Sequence, residues 1–289
     1  MEGLEAELGA GAAPEQSPST ALLNMPAALT LFVGRAGERA QCIARLHDPA
    51  CRLLTITGAG GIGKTRLSLE VVRQIRALPE HEQLFVNGVA LVPLAPLGPT
   101  MQADRLATAI ASALGLVLAG RDAPLAQVAQ FVREKALLLV LDNCEHLRER
   151  FPAIASLLEA APELKILATS RERLNLRGEQ VIELAGLPVP ADAAQPPAEL
   201  LRYEATQLFV QIARAADPAF ALTAENAPDV LRICQLVDGV PLGIELAAAW
   251  MRVLSCREIA DEVAESLDFL MSTNADRPAR QQSLRAVFN

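Results

Sequence analysis

Thr55-Ile56-Thr57-Gly58-Ala59-Gly60-Gly61-Ile62-Gly63-Lys64-Thr65 decides how the whole chain is read. Residues Gly58 to Thr65 fit G-x-x-x-x-G-K-[ST], a loop whose glycines let the backbone curl until several N–H groups point at phosphate oxygens. Gly58, Ala59, Gly60, Gly61, Ile62 and Gly63 form that cradle, and Lys64 adds a point charge. The Thr65 hydroxyl is the expected ligand of a Mg2+ ion bridging the terminal phosphates, and a helix opening at Gly63 turns its positive end to the same anion. Arg66, next in that helix, is counted with the loop as a nucleotide contact.

Both flanks fit the motif. Arg52 to Thr57 is a short apolar, β-branched run, which marks a buried strand. Leu67, Val71, Ile75 and Leu78 then recur at three- or four-residue spacing, with Pro79 as a stop.

Working outward, Ala136 to Asn143 is an apolar strand ending in a carboxylate. A buried parallel strand puts Asp142 at its C-terminal edge, where a nucleotide's Mg2+ sits, so Thr65 and Asp142 are the expected metal ligands. Leu164 to Thr169 makes a further strand ending in Ser170-Arg171. Arg171 could reach the terminal phosphate and report its presence, or pair with Glu172 or another surface acid. Val181 to Leu184 reads as a fifth strand. A second strand is expected over Leu84-Phe85-Val86 and Val89 to Val92, interrupted by an Asn87-Gly88 turn. Helices are expected over about Ala36 to His47, Met101 to Leu114, Leu125 to Lys135 and His146 to Ala160. Strand and helix alternating in this way imply a five-stranded parallel sheet covered by helices on both faces.

At Leu187-Pro188-Val189-Pro190 the composition turns to linker, and beyond it the pattern is only helical. Leu201, Ala205, Leu208 and Ile212 share one face; Val230, Cys234 and Val237 another; Ile259, Val263, Leu267 and Leu270 a third; Pro241 opens a helix running to Met251. The expected organisation is a disordered tail (1–25), a nucleotide-binding domain (26–187), a linker (188–199), a helical bundle (200–271) and the start of a truncated element (272–289).

The 289 residues give room for about two domains. The net charge of −8 and pI near 5.1 lack the basic footprint of a domain that binds nucleic acid by itself. Lysine occurs only at positions 64, 135 and 165, so one of three falls in the loop. The five cysteines are widely spaced, without C-x-x-C or zinc-ligand patterns, and read as reduced thiols. With no secretory start and no membrane-length apolar run, a cytoplasmic location is expected.

Taken together, the phosphate loop, Asp142-Asn143, Thr169-Ser170-Arg171 and Gly239-Val240-Pro241-Leu242 in a following bundle resemble the STAND class of signal-transduction ATPases. Within it they are most similar to the NB-ARC-like ATPase module of large bacterial transcriptional regulators. The likeness covers about Pro26 to Asn289 and includes Leu31 to Arg35 and the run Pro241 to Trp250. It implies that Val33, Gly34 and Arg35 lie against adenine and ribose, that Pro241 closes over the base, and that ATP or ADP with Mg2+ sits between two domains. The family's winged-helix domain, sensor repeats and effector domain are the expected missing partners, and self-association in the ATP state is implied.

One departure concerns catalysis. Asn143 stands where many vigorous P-loop ATPases carry a water-orienting glutamate. Glu145 could substitute, or could be a solvated acid at a helix start. Slow hydrolysis is expected, with Lys64, Asp142, Glu145 and Arg171 as the catalytic set. A module that retains nucleotide without turnover shares every binding residue with this reading. A small-molecule kinase is disfavoured, because no arginine-rich lid interrupts the α/β part.

Overall fold

The computed structural model describes residues 22–23, 31–77, 84–95, 103–146, 151–191 and 195–265. Pro79, Leu267, Leu270, the segment 272–289 and nearly all of the tail 1–25 lie outside them.

The strands are β1 (Leu22–Leu23), β2 (Leu53–Thr57), β3 (Val89–Pro93), β4 (Leu137–Asp142), β5 (Leu164–Ser170) and β6 (Glu179–Glu183). They form one sheet in the order β1-β3-β4-β5-β2-β6, with every pairing parallel. The expected five strands are its body. The addition is β1, two leucines from the supposed tail that pair with Val89 and Ala90 and so give edge strand β3 a backbone partner.

Central strands β2, β4 and β5 are buried almost throughout, because helices cover both faces. Helices α1 (Ala36–His47) and α2 (Lys64–Ala77) contribute Cys42, Leu46, Leu67, Val71 and Ile75 to one core. Helices α3 (Ala103–Ala113), α4 (Pro124–Val132) and α5 (Phe151–Ala160) contribute Leu106, Ile110, Val128, Ile154 and Leu157 to the other.

Two expectations here need correction. Leu84 to Val86 form a turn rather than a strand: Gly88 N–H donates to Phe85 C=O at 2.8 Å and the chain reverses before β3. At His146 the expected helix is a 3₁₀ turn, Cys144–His146, while α5 is described over Phe151–Ala160 and residues 147–150 lie outside the described ones.

A second unit packs α7 (Glu204–Ala216), α8 (Ala227–Leu236), α9 (Pro241–Ala249) and α10 (Cys256–Glu265) around Phe209, Ile233, Ile244, Ala247 and Ile259. Leu201, expected on its inward face, is exposed, because α7 begins only at Glu204 after the one-turn α6 (Pro197–Leu200). The linker is fastened rather than loose. Leu187 N–H donates to Gly239 C=O at 2.8 Å, Ala205 N–H to Pro188 C=O at 3.4 Å, and the Gln235 amide to Pro190 C=O at 3.1 Å.

Candidate nucleotide site

β2 delivers the glycine loop to the C-terminal edge of the sheet, and α2 starts directly at Lys64. Gly58 has φ +144°, and a Cβ there would meet Leu184 C=O at 2.7 Å, so only glycine fits where the loop leaves β2. Lys64 Nζ donates to the carbonyls of Gly58 and Ala59 at 2.7 and 2.8 Å. Desolvation pulls its pKa below the usual lysine value, with Arg171 acting the same way and Glu145 and Asp142 opposing.

β5 lies between β2 and β4, so the ends of three adjacent strands converge. Asp142 closes β4 and its Oδ1 accepts two hydroxyl hydrogen bonds, from Thr65 at 2.5 Å and from Thr169 at 2.7 Å. Thr169 Oγ1 in turn accepts the Asn143 N–H at 2.9 Å. This last contact fixes the left-handed turn at Asn143 (φ 74°), which carries the chain away from the carboxylate. Oxygen donors of this kind suit Mg2+, which takes one or two protein oxygens and fills its remaining positions with water and phosphate. Among the described residues no group of three or more His, Cys, Asp or Glu could hold an ion. Thr65 and Asp142 therefore fit Mg2+ only as partial ligands beside phosphates.

Arg171 lies just beyond β5 and meets Glu145 rather than Glu172, its Nε standing 3.7 Å from Oε1. Glu145 Oε2 is buried without a hydrogen-bond partner among the described residues. Glu145 thus faces a cation instead of lying in solvent. The five cysteines are all buried and free, as their spacing indicated.

The remaining expected contacts lie toward the helical unit. Val33 packs against the helical core. Arg35 is left-handed (φ 57°) and 3% exposed, and its guanidinium donates to Glu38 at 2.8 Å, Ile62 C=O at 3.0 Å and Ala185 C=O at 2.8 Å. Its charge is thus spent on protein carbonyls and a carboxylate. The Arg66 side chain likewise engages protein groups, donating to Glu245 at 2.7 Å and Leu31 C=O at 3.0 Å. Pro241 opens α9 beside the loop, about 4.0 Å from where a Cβ on Gly63 would stand, and Leu242 N–H donates to Gly61 C=O at 3.2 Å. Sequence reasoning missed Glu204, whose Oε1 accepts the Arg35 N–H at 2.9 Å, and Glu245. The sequence offered little to single them out: Glu204 is an acid at the start of α7, and Glu245 lies inside the run Pro241 to Trp250 of a helix assigned to the bundle.

Residues 47–186 match the AAA domain family. A Mycobacterium tuberculosis protein named as an HTH-type transcriptional regulator is 36% identical over 236 residues, covering 81% of this chain and 24% of its own. An uncharacterized protein of the same species is 38% identical over 232 residues, 80% of this chain and 53% of its own. This chain therefore spans between a quarter and a half of those relatives. Among solved structures, the Aeropyrum pernix ORC2 protein matches with TM-score 0.50 at 16% identity over 80% of this chain and 67% of its own, a likeness of fold. Sheet order, glycine loop and the match over residues 47–186 together give this chain a P-loop NTPase-like fold with an AAA-type domain, in keeping with the class that the motifs indicated. Residues 47–186 thus form an AAA-type domain, and the chain is similar over four-fifths of its length to a part of a protein named as a transcriptional regulator.

Proposed function

We propose that this module is a nucleotide-dependent switch. It binds ATP or ADP with Mg2+, hydrolyses ATP slowly, and uses the identity of the nucleotide to set the helical unit against the sheet and to control self-association. The convergence of Thr65 and Asp142 at the mouth of the glycine loop carries the reading, since the pair suits a Mg2+–triphosphate. Bound Mg2+ supplies charge neutralisation across the terminal phosphates. The chain's own residues orient and select: Lys64 and the loop N–H groups hold phosphate, Arg171 reads the terminal group, and the backbone of Val33 to Arg35 with Pro241 encloses the base. Glu145 orients water. Ligands of this kind move a domain equilibrium only by contacting the two states differently, and a site bordered by both units meets that condition. The relatives' names suggest output in transcriptional signalling, with DNA contacts made by other domains and the whole acting in the cytoplasm.

A second reading, a scaffold that retains nucleotide without turnover, is favoured by the Arg171–Glu145 ion pair, which sets a cation beside the candidate base. The first of two measurements tests both readings and the second separates them. Acid release and chromatography should find bound ADP or ATP in the native chain and none in Lys64→Ala; an empty native chain with no affinity on titration defeats both readings. Phosphate release from ATP that stops in Glu145→Gln supports the switch. Absence of turnover in the native chain leaves the scaffold.

A further inference from the structure

We propose that Glu204 and Glu245, two carboxylates of the helical unit, are positioning residues that hold the back of the phosphate loop and thereby set how long a nucleotide stays bound. The proposal rests on the nucleotide reading above and adds residues to it.

Two carbonyls of the loop are held from the side of the helical unit. Gly61 C=O accepts from Leu242 N–H in the first turn of α9, and Ile62 C=O accepts from the Arg35 guanidinium. In a trans peptide the C=O and the next N–H point in opposite directions. Fixing these two carbonyls therefore aims the N–H groups of Ile62 and Gly63 the other way, into the loop's concave side, where the motif needs donors.

Each anchor is braced by one of the two acids. Glu204, first residue of α7, accepts the Arg35 backbone N–H at 2.9 Å and so holds the left-handed turn that delivers its guanidinium. Gly34 precedes that turn with φ +73°, and any Cβ on it would strike the Glu204 carboxylate, so the two segments touch. Glu245, on α9, binds Arg66 at 2.7 Å, and the same guanidinium holds Leu31 C=O at 3.0 Å. One charge thus joins the first turn of α2, the lead-in to Gly34 and α9. Glu245 is 14% exposed and Arg66 37%, so the pair is only partly screened.

The test is stopped-flow release of mant-ADP, with Mg2+, from this chain into excess ADP. Reversing one charge places like charges together, so Glu245→Arg and Arg66→Glu should each speed release about tenfold, and the combined exchange should return it to within about threefold of native. Glu204→Ala should also speed release, whereas Glu204→Gln, which keeps an oxygen acceptor, should do so less. A merely structural role would lower the melting temperature without this pattern of rescue. Should Glu245→Arg not fold, Glu245→Gln carries the test, with about threefold faster release expected. Unchanged release in the Glu245 and Glu204→Ala variants, or no rescue in the combined exchange, overturns the proposal while leaving the nucleotide reading intact. A native chain that takes up no mant-ADP overturns both.

Discussion

The phosphate side of the site and the seam with the helical unit use the same chemistry, carboxylates and cations meeting backbone, at very different sequence distances. On the phosphate side, eight consecutive residues form the loop, and the carboxylate that meets its Thr65, Asp142, lies 77 positions away. Along the seam, Arg35 meets Glu204 across 169 positions and Arg66 meets Glu245 across 179. The first arrangement repeats wherever a strand, a glycine turn and a helix are contiguous. The second exists only because two units dock in one orientation. A phosphate grip can therefore be common to many proteins while its regulation is particular to one.

The largest effect expected from breaking the phosphate side is structural. Leu139 is fully buried in β4, three residues before Asp142, and Leu139→Ala should cost about 3 kcal/mol in urea unfolding, since the packed sheet cannot collapse onto the cavity. Calorimetric titration with ADP should next show Lys64→Ala binding about 100-fold more weakly, for loss of a charge-assisted contact to phosphate. An equally large loss of affinity in Glu204→Ala would erase the distinction between grip and seam.

At the seam itself, Gly34→Ala should cost about 1–2 kcal/mol in thermal or urea unfolding, from the left-handed backbone and the collision with Glu204. Pairing it with Glu204→Ala should recover the collision but not the backbone strain, leaving a partial defect.

The last effect distinguishes neither half, and that is its use. Burial lifts the thiols of Cys42 in α1 and Cys234 in α8 to about 12, and that of Cys256 in α10 to about 11. Between the ordinary thiol value of 9.0 and these raised values the unfolded chain releases protons that the folded chain keeps, so stability falls as pH rises past about 9. Urea midpoints at pH 8 and pH 10 should show that decline. A thiol reagent at pH 8 should label none of the five cysteines in either unit before unfolding.

Much of this was legible. The loop, the strand ending in Asp142, helix α1 to its exact residues and the helical second unit all follow from local periodicity and glycine placement, because those are properties of consecutive residues. The misreadings share a cause. Leu84 to Val86 are apolar like a strand, yet a turn closes on Phe85; Leu201 keeps helical spacing with its neighbours, yet the helix has not begun. Pattern reports what a segment could bury and not whether the chain presents it. For Arg66 the motif position says nothing of the side chain's partner, because a long side chain follows a carboxylate within reach, and that lay in another unit.

By itself, then, the sequence determined the parallel sheet, the phosphate loop and the oxygen pair Thr65 and Asp142, since motif spacing and strand ends constrain backbone directly. Only the tertiary structure decided that β5 separates β2 from β4, that Arg171 faces Glu145, and that Arg35 and Arg66 serve the seam. Those facts depend on strand order and on how two units dock. Both are set by the summed burial of many side chains rather than by any run of neighbours.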